Sequence, residues 1–432
     1  MAKKRRIVFQ DPLHPGSSLR SIAIVSRAII YLCYENAHMI PAHINGKMLN
    51  WARERAGLGT DRLAKGSITS AKIKAWEAGT NYPSQNQAEA LAQKLGISYA
   101  MLFMPTVPPS DDPPIPDLRT VNGQRIKNPS LEFRDVLNAA LVRQDWVHDE
   151  RKDQGAKPLK FVGRFTVGSD PKNVAADMRD ALELSLDDRA QCADYEAFIK
   201  HLVSRAEGLG VLVMRSALVG HDTHRKLDVK EFRGFALSDP IAPVIFINDA
   251  DAKAAQVFTM AHEMVHIWIG EDGVSDRTPN HKKESANKIE LFCDQVAAEL
   301  LVPEADFNKV WKDGPFKSAA QKTAKHFRVS TLVALRRAKD LNRISFDTFI
   351  DAVNEEYARY RAIDQKKRDK QKEKDSQGGN FWASFDIRNG KVLNTSVANA
   401  LATNRASYTE ASALLGVSIA STIRYIRRVG VQ

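Results

Sequence analysis

The chain of 432 residues is 43% hydrophobic and 27% charged, with 23 glycines and 18 prolines, which excludes wholesale disorder and fibrous repeats. Its three cysteines, Cys33, Cys192 and Cys293, are distant from one another and odd in number; a disulfide framework and a CxxC zinc ribbon are excluded, and a reducing cytoplasm fits best. The net charge of +11 divides unevenly, with +4 on residues 1–38, +4 on 39–105 and +7 on 361–432, so the middle at 106–360 carries −4 and polyanion affinity is expected at the ends.

Residues 1–38 are read either as a poorly ordered extension or as not translated, with Met39 in the latter case the biological start. Within it the apolar run Ile22–Tyr34 is interrupted by Arg27. A membrane span needs about twenty apolar residues, so no membrane association is expected and the protein is read as cytoplasmic.

Residues 39–105 carry short helical patterns. Met48, Leu49, Ala52 and Ala56 lie at helical spacing before Gly57, and Thr60–Lys65 forms a second short helix. Thr69 caps a third over Ser70–Ala78, with Ile73 and Trp76 inward and Gly79 as its stop, and Gln85–Leu95 is the fourth. A tight turn before a short third helix reads as a helix-turn-helix.

Trp51-Ala52-Arg53, Leu63-Ala64, Ile73, Trp76-Glu77, Gly79, Pro83 and Leu91-Ala92 resemble the Cro/C1-type (Xre) repressor domain over about 45–105. The resemblance implies that the third helix enters the major groove, with Ser70, Ala71 and Lys74 toward bases and Lys72 and Lys47 near phosphates. The glutamines that in this family open the second and third helices are absent here, so base readout by that route is not available. DNA is the implied partner, a homodimer is compatible with the domain, and retention of the fold for protein contact alone is the competing reading.

Six prolines between Pro105 and Pro116 mark a stiff linker over 106–118. A domain at 119–360 follows, with its core at 190–345. Short apolar runs at Gly210–Met214 and Pro243–Asn248, with Phe232–Leu237 alternating between them, predict a small sheet behind a helix at Gln256–Ile269.

That helix contains His262-Glu263-Met264-Val265-His266. Positions i and i+4 share a helix face, so both imidazoles reach one metal, and Glu263 lies where a carboxylate takes a proton from a polarised water. Zinc requires a third protein ligand and an open position. The helix Asn287–Val302 offers Glu290, on its apolar stripe, and Asp294 one turn on. Glu299, nine residues from Glu290, is about 180° away and is expected at the surface or as a cap partner. Glu290 is the expected ligand, because a carboxylate in a buried stripe is costly unless paired or metal-bound. Asp294 is expected to orient a ligand histidine.

Glu231-Phe232-Arg233-Gly234-Phe235, Ala242-Pro243, Ile247-Asn248, the HExxH segment and Glu290-x-x-Cys293-Asp294-x-x-Ala297-Ala298-Glu299-Leu300-Leu301-x-Pro303 resemble the ImmA/IrrE (DUF955) metallopeptidases over roughly 190–345. The resemblance implies a zincin-like fold, Zn2+ held by His262, His266 and Glu290, catalysis by Glu263, and a repressor as protein substrate in a stress-response or mobile-element circuit. It assigns no oxyanion stabiliser; Arg233 and His281 are weak candidates. A rival function of another class is a non-catalytic Xre-type regulator or antitoxin-like protein whose peptidase-like domain only senses zinc or a ligand.

A charged linker at 361–379 precedes a helical module at 380–432. There Tyr408–Leu415, Gly416 and a following helix with Arg424, Arg427 and Arg428 read equally as a second helix-turn-helix or as a packing module. The fold class expected is mainly α with a small β-sheet (α+β): an all-α helix-turn-helix domain, a metallopeptidase domain and a small helical tail.

Overall fold

The computed structural model describes residues 41–108, 129–275, 288–312, 314–356, 358–359 and 380–430. The extension 1–38, most of the proline-rich linker, the linker 361–379 and His281 lie outside the described residues. The described chain is mainly helical with one small sheet, and it divides into two compact units, Met1–Asp111 and Asp112–Gln432.

The first unit contains α1 (Gly46–Arg55), α2 (Thr60–Leu63), α3 (Ser70–Glu77), α4 (Gln85–Lys94) and a 3-10 turn at Tyr99–Phe103. Thr69 caps α3 by accepting from the Lys72 amide, and Ser84 opens α4 with a reciprocal capping box to Gln87. Leu49, Ala52, Leu63, Ile73, Trp76, Ala88 and Leu91 form one buried core. Arg53 on α1 pairs with Glu77 at the end of α3 at 2.5 Å, tying the two helices across 24 residues of sequence. The second helix is shorter than the Thr60–Lys65 expected, because Lys65 turns out of it to pair with Ile68.

The second unit is built around four strands, β1 (Leu212–Ser216), β2 (Gly234–Leu237), β3 (Val244–Asn248) and β4 (Gly273–Ser275), in the order β1-β3-β2-β4. β1 runs parallel to β3; β2 is antiparallel to both β3 and β4. The strand period of two sends alternate residues to opposite faces. Val213, Ala236, Ile245 and Ile247 face one core, and Leu212, Met214, Phe235, Leu237, Val244 and Phe246 the other. Both faces are covered, which is why the strands read as continuous apolar runs.

On the first face lie α6 (Pro171–Ala181), α7 (Leu186–Gln191), α8 (Tyr195–Gly208), α9 (Lys253–Ile269), α10 (Lys288–Leu301), α11 (Glu304–Val310), α12 (Phe316–Phe327) and α13 (Thr331–Asp340). Helix α9 is buried all round from Gln256 to Ile269, as a helix between a sheet and a helical layer must be. It ends at Gly270 in the left-handed region (φ 73°), where the Glu271 amide reaches back to the His266 carbonyl at 3.1 Å.

The second face is covered by α5 (Leu131–Asp153) and by α14 (Phe381–Asn389), α15 (Lys391–Ala402), α16 (Tyr408–Leu415) and α17 (Ile419–Arg428). Gln144 of α5 donates to the carbonyls of Leu237 and Ala242, both at 3.1 Å, and Arg143 caps α16 by donating to the Leu414 carbonyl at 2.9 Å. The C-terminal helices that the sequence sets apart as a module therefore share a core with the sheet.

Of the two positions expected for Glu299, at the surface or as a cap partner, the structure shows the cap partner. It is buried, pairs with the buried Arg337 of α13 and accepts from the Glu304 amide at 3.3 Å, so it caps the first turn of α11. Its helical phase away from Glu290 is as expected; the sequence pattern did not reveal an arginine waiting 38 residues on. Removing one partner of a buried pair strands the other charge, so Glu299→Ala should destabilise the fold by about 3–5 kcal/mol. Urea denaturation followed by circular dichroism measures this, and a shift below about 1 kcal/mol would contradict it.

Candidate active site

Helix α9 projects His262 and His266 from consecutive turns, and α10 faces them with Glu290. The two Nε2 atoms are 3.3 Å apart. One Glu290 oxygen lies 3.1 Å from His262 Nε2 and the other 3.3 Å from His266 Nε2. All three side chains are buried. Four donors at about 2.0–2.3 Å from a tetrahedral metal would stand roughly 3.3–3.8 Å from one another. The three donors sit close to that spacing, and their types are those zinc-like ions prefer, so they fit a bound metal.

The electrostatics agree. Burial alone pushes the Glu290 carboxyl up, but His262 and His266 outweigh it and hold that carboxyl well below the usual carboxylate range. Burial pushes the His266 imidazole down, but Cys293 and Glu290 outweigh it and raise it well above its usual value. The space among these groups favours positive charge.

Asp294, one turn beyond Glu290, stands 3.0 Å from Nδ1 of His262 on the side away from the cluster. The pair is at ion-pair distance without a hydrogen bond at Nδ1, and the carboxylate's charge favours the tautomer protonated there, which leaves Nε2 to bind. Asp294→Asn should weaken metal affinity by about 10–100-fold, measured by competition with a chelating dye. Unchanged affinity would remove Asp294 from this role. His266 Nδ1 has no hydrogen-bond partner among the described residues. Its ring is positioned by packing instead: a Cβ at Gly273 of β4 would fall inside van der Waals contact with the imidazole.

Glu263 is fully buried on the same helix. Gly234, the first residue of β2, lets the sheet approach it closely. A Cβ at 234 would lie 2.7 Å from Thr259 Cγ2, 2.9 Å from the Phe246 carbonyl oxygen and 3.1 Å from Glu263 Oε1. Neighbouring Arg233 is held by Asp251 at 3.3 Å, so the structure engages this oxyanion candidate elsewhere.

Sequence reasoning missed two residues at this centre. Strand β4, with Gly273, is too short to carry a periodic signal. Cys293, read as part of the apolar stripe of α10, has its sulfur grouped with the His262 and His266 nitrogens, all within 4.8 Å of one another. Two donor sets thus share the histidines. The set closed by Glu290, with the carboxylate oxygens 3.1–3.3 Å from the imidazole nitrogens, is taken as primary.

The residues proposed for DNA are in the first unit. Lys47, Ala71, Lys72 and Lys74 are exposed. Ser70 is half-buried and donates to Thr60 Oγ1 at 2.7 Å, while Lys72 Nζ donates to the Ser67 carbonyl at 2.9 Å.

Residues 206–339 match the peptidase family described as IrrE N-terminal-like domain. The radiation response metalloprotease IrrE of Deinococcus radiodurans is 35% identical over 134 residues, covering 28% of this chain. The chain spans 40% of the length of that relative. Among solved structures, Bacillus thuringiensis PlcR in complex with the peptide PapR7 and DNA aligns over 90% of this chain and 100% of that one at 11% identity. Its TM-score of 0.14 carries no argument. Among the described residues no helix is long and apolar enough to cross a membrane. The family match, which falls on the segment that holds the His262, His266 and Glu290 cluster, and the relative together support an ImmA/IrrE-family metallopeptidase domain at residues 206–339.

Proposed function

We propose that this chain is a zinc-dependent endopeptidase coupled to a DNA-binding helix-turn-helix, acting in the cytoplasm to regulate transcription by cleaving a cognate repressor in a stress-response or mobile-element circuit. The observation that carries the reading is the buried convergence of two imidazoles and a carboxylate at 3.1–3.3 Å, with Glu263 on the same helix. The curated relative is a metalloprotease of a radiation response, which supports a stress circuit.

His262, His266 and Glu290 would hold the ion. Zinc bound there supplies a Lewis acid that brings the pKa of a water molecule toward neutrality. Glu263 takes the proton of the attacking water and delivers it to the leaving amine nitrogen, a transfer that needs a carboxylate within hydrogen-bond reach of both. Asp294 keeps His262 in its binding tautomer, and Gly273 leaves room for the His266 ring. The apolar walls of α9 and α10 exclude bulk water and strengthen these interactions.

Co-expression with a helix-turn-helix repressor encoded beside this chain tests the reading. A repressor fragment that appears with zinc and disappears on chelation is expected, and an intact repressor under both conditions would contradict it.

The DNA arm has its own test. Lys72→Ala with Lys74→Ala removes two exposed cations from α3. Duplex affinity should fall, and the slope of log affinity against log salt should shrink by about 0.9 per lysine. An unchanged slope in fluorescence anisotropy would assign the domain to protein contact instead.

A further inference from the structure

Cys293 is fully buried and lies three residues after Glu290 on α10, so the two side chains leave neighbouring positions of one helix face. Its sulfur and the nitrogens of His262 and His266 are mutually within 4.8 Å. Thiol, imidazole and carboxylate are the donor types zinc takes. Catalytic zinc sites keep three protein ligands and leave a fourth position for water, whereas sites with four protein ligands are closed and structural. His262 and His266 belong to two donor sets: the Glu290 oxygens stand 3.1–3.3 Å from their Nε2 atoms, and the Cys293 sulfur is grouped with their nitrogens within 4.8 Å in a set that does not include Glu290.

We propose that Cys293 is a fourth protein ligand, and that in the resting protein its thiolate occupies the position the attacking water needs. This rests on the metal-site reading given above and adds regulation to it: the peptidase is latent until the Cys293 sulfur leaves the ion. The exchange is balanced without a redox partner. The S–H bond of Cys293 is given up as the sulfur–zinc bond forms, its proton passing to solvent. Opening reverses this, the sulfur regaining a proton as water takes the position. The rival explanation is packing, since a buried cysteine also serves as a small apolar residue and Cys293 lies among Phe292, Val296 and Ala297.

Cobalt substitution separates the two. The full-length protein, stripped with a chelator and reloaded with Co2+, reports the metal through visible d–d bands and a thiolate ligand through a near-ultraviolet sulfur-to-cobalt charge-transfer band. Both features are expected in the wild type. Cys293→Ser and Cys293→Ala should keep the d–d bands, lose the charge-transfer band completely and raise basal peptide cleavage by tenfold or more.

Visible bands without a charge-transfer band in the wild type would overturn the proposal and leave the His-His-Glu reading standing. Survival of the band in Cys293→Ala would overturn it equally, because another thiol would then be its source. Failure of the wild type to bind Co2+ at all would overturn the metal-site reading and this proposal with it. Should Cys293→Ala fold poorly, the wild-type spectrum and the near-isosteric serine variant decide.

Discussion

Glu263→Gln is expected to lower peptide-bond hydrolysis by roughly 10²–10⁴-fold, the usual contribution of a positioned general base and acid. Glutamine preserves the shape and burial of the side chain, so the helix and the three proposed ligands should be undisturbed. What is lost is the ability to accept a proton from the attacking water and hand it to the leaving nitrogen. The loss should fall on kcat rather than KM, since it removes an interaction made in the transition state. Comparing the substitution in the wild type and in Cys293→Ala keeps the result readable if the resting protein is latent. Activity within a few fold of the parent in both backgrounds would exclude Glu263 from the chemistry.

Gly273→Ala is expected to be nearly as damaging, for a steric reason. The added Cβ would overlap the His266 imidazole, and the nearest heavy atoms belong to that ring alone. Helix α9 is packed on all sides and ends immediately before β4, so the ring has little room to retreat. Either His266 turns away from the cluster or β4 separates from β2, where Gly273 pairs with Ala236. A displacement of about 1 Å at a reacting centre can cost roughly 100-fold, and a loss of that order in both metal affinity and activity is the expected outcome. Isothermal titration with the metal checks the first part; wild-type affinity in Gly273→Ala would show that the ring is positioned by something else.

The parts legible in the sequence were those written in short periods. The i, i+4 spacing of His262 and His266 places both on one face of α9. The phase of Glu290 against Glu299 along α10 decides which carboxylate turns toward them. Asp294 follows from the same helical geometry, and in the structure it reaches Nδ1 of His262. The three longer strands announce themselves as apolar runs because both faces of the sheet are covered.

What was not legible depends on contacts between distant segments. Strand β4 has three residues and no pattern of its own; its pairing to β2 gives it meaning. Arg337 reaches Glu299 from a separate helix, α13, so a carboxylate expected at the surface or as a cap partner caps α11 from a buried position. Cys293 reads as one more apolar position until α9 and α10 are brought together. The helices after residue 380 could equally have stood alone, until Phe385, Leu393 and Val397 meet Leu212 and Met214 across one core.

Metal content of the purified full-length chain tests the central claim most directly. One zinc per chain is expected in the wild type and in Glu263→Gln, with zinc lost from His262→Ala and His266→Ala, and from Glu290→Ala combined with Cys293→Ala so that no sulfur replaces the carboxylate, when circular dichroism shows each still folded. Zinc absent from the wild type, or retained at full stoichiometry in Glu290→Ala with Cys293→Ala, would contradict the assignment of His262, His266 and Glu290 as the metal centre.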